Sequence, residues 1–251
     1  MQDYTIGESY TLPSLGKIYG TEVNPEIKIR SMTTEEEMKR LAATDAPYKN
    51  MSEIIDDCLV EKPGISSYDM CIGDYQFLLH KLRVVTYGPN YKVSNMCPYC
   101  GSEIVDEINL DELPLLEYSE EYDKLREFDL PKSKSHVVLR VQTPRMLDMI
   151  ANMTREDRKK SKGKGVDKTL IYTVANLVES IDGKKPSAIT IEDWVKSLPM
   201  ADTNAILNRA GKMNESIGVD INLTCNCDVC GLDFATVLKA NSEFFRPESD
   251  F

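Results

Sequence analysis

The chain has 251 residues, enough for one large domain or two small ones, and 41% of them are hydrophobic, enough to fill a core. Its 41 acidic residues against 30 basic ones leave a formal charge of −11, which disfavours a general nucleic-acid binder, because phosphate neutralisation needs clustered Lys and Arg. No stretch approaches the ~20 apolar residues of a membrane span, and the N-terminus lacks the basic and apolar regions of a signal peptide. Seven Cys without an export signal point to a reducing compartment, where thiols bind metal rather than pair.

Residues 1–26 read as an extended arm, with Pro13 and Gly16 at turn positions among apolar residues. Residues 27–90 read as a mainly helical region behind a strand at Glu26–Arg30. Thr33 with Glu three positions later is a capping-box signature. Two further helices are expected over 48–60 and 68–87, with Tyr75, Leu78, Leu79 and Leu82 at helical spacing as ordinary core. Residues 113–135 form an acidic, Pro-punctuated connection, followed by a strand over 136–141 and a helix from Pro144. The run from Arg155 to Lys168 holds seven bases against three acids; it reads as a solvated loop or, more sharply, as a docking patch for an acidic partner. Helices are expected over 169–181, from Thr190, and over 201–214, so that 113–217 reads as a linker, strand and helical insertion.

Two Cys-x-x-Cys-Gly knuckles carry the strongest signal: Cys97-Pro98-Tyr99-Cys100-Gly101 and Cys227-Asp228-Val229-Cys230-Gly231. Together they supply four thiolates in two pairs, as a tetrahedral structural zinc site requires. Strand-like sequence flanks both, so 91–112 and 218–243 read as the halves of a zinc ribbon. The fold class expected is therefore α+β: a zinc ribbon with a helical N-terminal region and a helical insertion between its halves. Cys97, Cys100, Cys227 and Cys230 are the expected ligands, chosen because Cys227 with Cys230 repeats the spacing of the first knuckle. Cys225, two residues earlier, could replace Cys227. Cys58 and Cys71 sit in apolar helical stretches and read as buried small hydrophobes.

Cys-Pro-Tyr-Cys also suits thiol–disulfide exchange, so an oxidoreductase using Cys97 and Cys100 is one alternative, and an acidic zinc-ribbon adaptor binding protein or nucleic acid is another. The exchange chemistry needs the first Cys at a helix N-terminus, whereas a strand follows here. With two His, His80 and His136, in different segments, most general-base chemistry is disfavoured, and no catalytic residue or small-molecule substrate is expected.

The order of motifs is more specific than any single one. A Leu-Pro-Ser-x-Gly-x-x-Tyr segment (Leu12 to Tyr19) precedes Ile-Arg-Ser-Met-Thr (Ile29 to Thr33). Arg83-Val84-Val85-Thr86-Tyr87-Gly88 then leads to the first knuckle, Leu-Arg-Val-Gln-Thr-Pro (Leu139 to Pro144) follows, and Phe244-Phe245-x-Pro247 comes after the second knuckle. This order resembles the baseplate hub proteins of T-even-like contractile-tailed bacteriophages over nearly the whole chain. The resemblance implies a non-enzymatic hub component or hub assembly factor. Its partners would be other baseplate hub and tail proteins, met in the host cytoplasm during assembly or in the virion tail baseplate. The terminal arm and the 244–251 tail are the expected partner-binding segments, with packing of the tail on its own domain as the other reading.

Overall fold

The computed structural model describes residues 7–162, 165–238 and 244–245. Strands β1 (Glu8–Thr11) and β2 (Glu26–Ile29) pair antiparallel. Helix α1 (Thr34–Leu41) opens with the expected capping box between Thr33 and Glu36. Helix α2 (Pro47–Cys58) runs straight into β3 (Leu59–Glu61), which pairs with β2. Helix α3 (Ile72–Tyr87) follows and ends at Gly88. Strands β4 (Asn90–Met96) and β5 (Glu103–Asn109) then form a seven-rung hairpin.

The Pro-punctuated connection carries its own structure, β6 (Leu115–Leu116), α4 (Glu120–Arg126) and β7 (Glu127–Asp129). Strand β8 (His136–Leu139) pairs with β7. Helices α5 (Pro144–Lys160) and α6 (Thr169–Leu177) follow. Strand β9 (Val178–Ile181) completes a sheet of order β7-β8-β9. Helix α7 (Ala188–Ser197) is capped by Ser187 rather than by Thr190, the start expected from the sequence. After α8 (Met200–Glu215), β10 (Gly218–Val219) pairs with β6, and β11 (Asn222–Asn226) and β12 (Asp233–Val237) form the second hairpin.

Two helices stop earlier than their periodicity predicts. The ones expected to reach Val60 and Ile181 end at Cys58 and Leu177, and their last residues become β3 and β9. Sheet pairing claims them, with Leu59 opposite Ile29 and Val178 opposite Leu139. A strand partner decides the conformation of short apolar runs that fit either element.

These elements follow one plan twice. Leu12-Pro13 and Leu130-Pro131 each leave an edge strand, and both leucines are fully buried. The Leu12 amide donates to the Pro25 carbonyl at 2.8 Å and the Leu130 amide to the Ser135 carbonyl at 2.9 Å. Each acceptor immediately precedes the central strand. At the end of that strand the register shifts at the same place, between Lys28 and Ile29 and between Val138 and Leu139. The next residue is an arginine whose amide reaches the end of the second helix: Arg30 to Cys58 at 3.0 Å, Arg140 to Leu177 at 2.7 Å. Thr33 and Thr143 then cap α1 and α5. The last long helix of each half, α3 or α8, carries a buried aspartate at its third position, Asp74 or Asp202. Each aspartate accepts from the Leu-Pro turn of its own half: Asp74 from the Ser14 amide at 2.9 Å, Asp202 from the Lys132 and Ser133 amides at 2.7 and 2.8 Å. A knuckled hairpin closes each half. The sequence shows this repeat only at the knuckles, and the apparent insertion between the hairpins is in fact the body of the second unit.

Each unit has its own core, one around Ile29, Leu78 and Leu82 and one around Leu139, Val174 and Ile206. They meet where α3 starts against the end of α8: a Cβ on Gly73 would lie 2.1 Å from the Ile217 carbonyl oxygen, so only glycine allows that approach. The segment expected as an extended arm belongs to this body from Gly7 onward, because Leu12, Ile18 and Val23 are buried in the cores. The Tyr19 hydroxyl donates to Asp74 at 2.5 Å and anchors the turn. Residues 1–6 lie outside the described residues. Phe244 and Phe245, expected as partner-binding anchors, fill the first core. There the Arg83 guanidinium donates to the Phe244 carbonyl at 2.8 Å, and His80 and Tyr91 pack edge-on to its ring. The rest of the tail expectation, 246–251, lies outside the described residues.

Candidate metal centre

The knuckles are the turns of the two long hairpins, β4-β5 and β11-β12. Their backbones match. The Cys97 amide donates to the Ser102 carbonyl at 2.9 Å, and the Cys227 amide to the Leu232 carbonyl at 3.1 Å. The Gly101 and Gly231 amides return to the carbonyls of Cys97 and Cys227. Both glycines sit at φ +73°, where a side chain would be strained.

This turn aims both sulfurs of a knuckle the same way, and the hairpins face each other. Cys97 Sγ lies 3.7 Å from Cys230 Sγ, and Cys100 Sγ lies 3.6 Å from Cys227 Sγ. All four sulfurs fall within 4.8 Å of one another. Thiolates at about 2.3 Å from a tetrahedral ion have sulfur–sulfur edges of about 3.8 Å. The donor set therefore fits one tetrahedral ion.

Pairs on either side of the sulfurs repeat the same relation. Asn95 and Cys225 occupy equivalent positions, opposite Ile104 and Phe234 in their hairpins, and touch each other, Asn95 Nδ2 to Cys225 Sγ at 3.8 Å. Thr236 donates to Asn95 Oδ1 at 3.0 Å. Its counterpart Asp106 meets Cys225, where burial and then the Asp106 carboxylate push the thiol up. The two hairpins thus contact each other as the protomers of an isologous dimer do, residue i to j and j to i. Cys225 lies outside the four-sulfur group, in a small core with Ile104 and Phe234. The end of β11 separates the two: Cys225 is a strand residue packed in that small core, whereas Cys227 lies in the turn beyond the strand.

Ser102 is a functional candidate that no sequence pattern singles out. Its hydroxyl lies 3.0 Å from Cys100 Sγ and 3.3 Å from Cys227 Sγ. It lowers both thiols, that of Cys227 to about 6. The Leu232 amide draws Cys230 down, but burial and the surrounding sulfurs of Cys227, Cys97 and Cys100 outweigh it and push that thiol up to about 12. Four crowded sulfurs cannot all ionise alone; a divalent cation removes the conflict. Neither Cys97 nor Cys100 stands at a helix N-terminus, the placement at which the helix dipole lowers a redox cysteine. Cys58 and Cys71 are buried, and burial pushes both thiols up to about 12. Cys71 also caps α3, accepting from the Asp74 amide at 3.3 Å.

A family model described as T4 bacteriophage base plate protein matches residues 5–246. The chain belongs to that baseplate family. No curated protein and no solved structure matches it. Family membership implies a structural component of the phage baseplate, at the virion tail, in contact with other baseplate proteins. The segments that carry the resemblance have structural jobs in this baseplate protein. Leu12 to Tyr19 forms the turn held by Asp74, Ile29 to Thr33 and Leu139 to Pro144 are equivalent strand-to-helix turns, and Phe244-Phe245 seals the first core.

The basic run of this baseplate protein is helical over 155–160, contrary to the loop expected. Many of its charges are already paired: Arg155 with Asp45, Arg158 with Asp167 at 2.6 Å, and Lys168 with Asp157 at 2.9 Å. Among the described residues no helix is long and apolar enough to cross a membrane.

Proposed function

We propose that this protein is a non-enzymatic component, or an assembly factor, of the baseplate hub, and that Cys97, Cys100, Cys227 and Cys230 hold one structural zinc ion. The observation that carries the zinc reading is the closed set of four sulfurs, all within 4.8 Å of one another and with the two cross-hairpin pairs at 3.6 and 3.7 Å. Protein donors fill every position of such a site, leaving none open for substrate. Soft thiolates with tetrahedral geometry favour zinc over the hard cations. The ion ties one hairpin of each unit to the other and so fixes the relative position of two bodies with separate cores. That is a structural task, and its energy, on the order of 10 kcal/mol, is available to folding. The hub role rests on the family match together with the resemblance in motif order. Assembly would take place in the host cytoplasm.

Elemental analysis of the purified chain should give one zinc per molecule and no free thiol at the four ligand positions. Iron or a substoichiometric metal would overturn the zinc assignment. Quantitative mass spectrometry of mature particles separates the two hub roles. A fixed small copy number per tail makes the protein a subunit, and absence from particles despite expression makes it a factor that releases its clients.

A further inference from the structure

The ribbon projects an apolar tip that neither the metal nor the cores use. Its base packs on the first core through Tyr91, Val93, Ile108 and Leu223. At the other end, the side chains flanking the cysteines point to solvent: Met96 is 68% exposed, Tyr99 61%, Val229 73% and Leu232 48%. Tyr99 and Val229 hold the same place in the two knuckles, between the two cysteines, so they stand on either side of the four-sulfur group. Large exposed apolar side chains on both knuckles beside one four-sulfur group mark an interaction surface.

Charge says what covers it. Across 90–109 and 220–237, Lys92 is the sole base against six acids. Nearly half the net charge of the chain is concentrated in this one lobe, and four thiolates around a divalent ion add about two further negative charges. A second copy brought tip to tip would meet its own charge, a like-sign juxtaposition that suppresses pairing.

We infer that the ribbon tip, at Tyr99 and Val229, is the docking surface for a Lys/Arg-rich segment with apolar anchors on another phage baseplate protein. This rests on the baseplate reading and adds where the contact lies and the chemistry of the partner. The metal holds the tip rigid, so docking need not order it at the same time.

The test places a benzophenone photocrosslinker in the full-length protein in infected cells, in place of Tyr99, Val229 or, as a control on the second unit, Ile189, which is 78% exposed. Adducts from 99 and 229 to the same Lys/Arg-rich segment of a baseplate protein are expected, with none from 189. Tyr99→Glu should lower the adduct yield at 229 by about tenfold, as losing an interface hot spot does, with the melting temperature unchanged. Adducts to another copy of this chain, to an acidic segment, or from 189 alone to a baseplate protein would overturn the docking site while leaving the baseplate reading intact. A Lys/Arg-rich segment of a host protein captured at 99 and 229 would support the site and overturn the baseplate partner.

Discussion

The first and second units share a backbone plan and hold it with different chemistry. At the strand-to-helix turn of the first unit, Arg30 pairs with Glu36 at 2.7 Å. Burial works against that carboxylate, but Arg30 and Thr33 hold it at about 2. The equivalent Arg140 reaches the Asn176 carbonyl at 3.4 Å, and Met146 stands where Glu36 would be. The buried aspartates differ as well. Burial pushes Asp74 up, and the hydroxyls of Ser14 and Tyr19 hold it. Asp202 receives two backbone amides, which outweigh burial and hold its carboxyl below the usual range. One geometry is thus reached through a salt bridge, one amide and two hydroxyls in one unit, and through two amides and packing in the other. What the fold demands at these points is a partner for each buried polar group, whatever its chemical type. The knuckles keep both cysteines and the glycine in the two units, as the proposed metal site requires.

The largest effect should come from breaking that shared point. Chelation, or Cys100→Ser, should remove on the order of 10 kcal/mol of metal-linked stability. Amide hydrogen exchange should then show both hairpins losing protection together. Loss in one hairpin alone would show that the two are not equal partners around the ion. Cys225→Ser should keep the metal.

The next pair tests whether the Leu-Pro turns are equivalent. Leu12→Ala and Leu130→Ala should each cost about 2–5 kcal/mol in urea unfolding, as truncations of fully buried leucines. A silent result at either position would dissolve the equivalence. A smaller difference is expected at the aspartates. Asp202→Ala should cost about 2–3 kcal/mol, because two backbone amides lose a charged acceptor. Asp74→Asn should cost about 1 kcal/mol, since the Ser14 amide can keep an acceptor oxygen while the Ser14 and Tyr19 hydroxyls turn to accept from the amide nitrogen.

The smallest effect separates the units by pH. The carboxyl of Glu36 is depressed in the folded state, so its contribution is present above its ordinary value of 4.5 and is lost as pH falls towards about 2. Exchange measured from pH 5 to pH 3 should loosen α1 before α5, whose cap is Thr143 with no acid. Glu36→Gln should abolish that difference at a cost of about 1 kcal/mol at pH 7. Equal acid sensitivity in both helices would remove the assigned role of Glu36.

Much of the chain could be read directly. The capping box at Thr33, the helix at Pro144 and the knuckle turns all rest on interactions within a few residues, where residue type decides the geometry. The readings that failed are those in which a distant partner outvoted local preference. β3 and β9 look like helix ends until Ile29 and Leu139 pair with them. The arm and the Phe244-Phe245 segment look free until Asp74, Arg83 and the first core receive them. The start of the basic run looks like a loop, but α5 continues through it to Lys160 and Asp45, brought in by the fold, pairs with Arg155.

The sequence by itself determined a protein with four thiolates in two matched turns, because a Cys-x-x-Cys-Gly turn specifies its own backbone. Tertiary structure alone decided that these turns belong to two halves of one plan meeting at one point, and that Cys225 stays outside. Elsewhere the halves share only scattered side chains, such as Leu12 and Leu130, Arg30 and Arg140, Thr33 and Thr143, and Asp74 and Asp202. Their likeness lies in which backbone groups are satisfied and where, and that becomes visible only when donors and acceptors far apart in the chain are brought together.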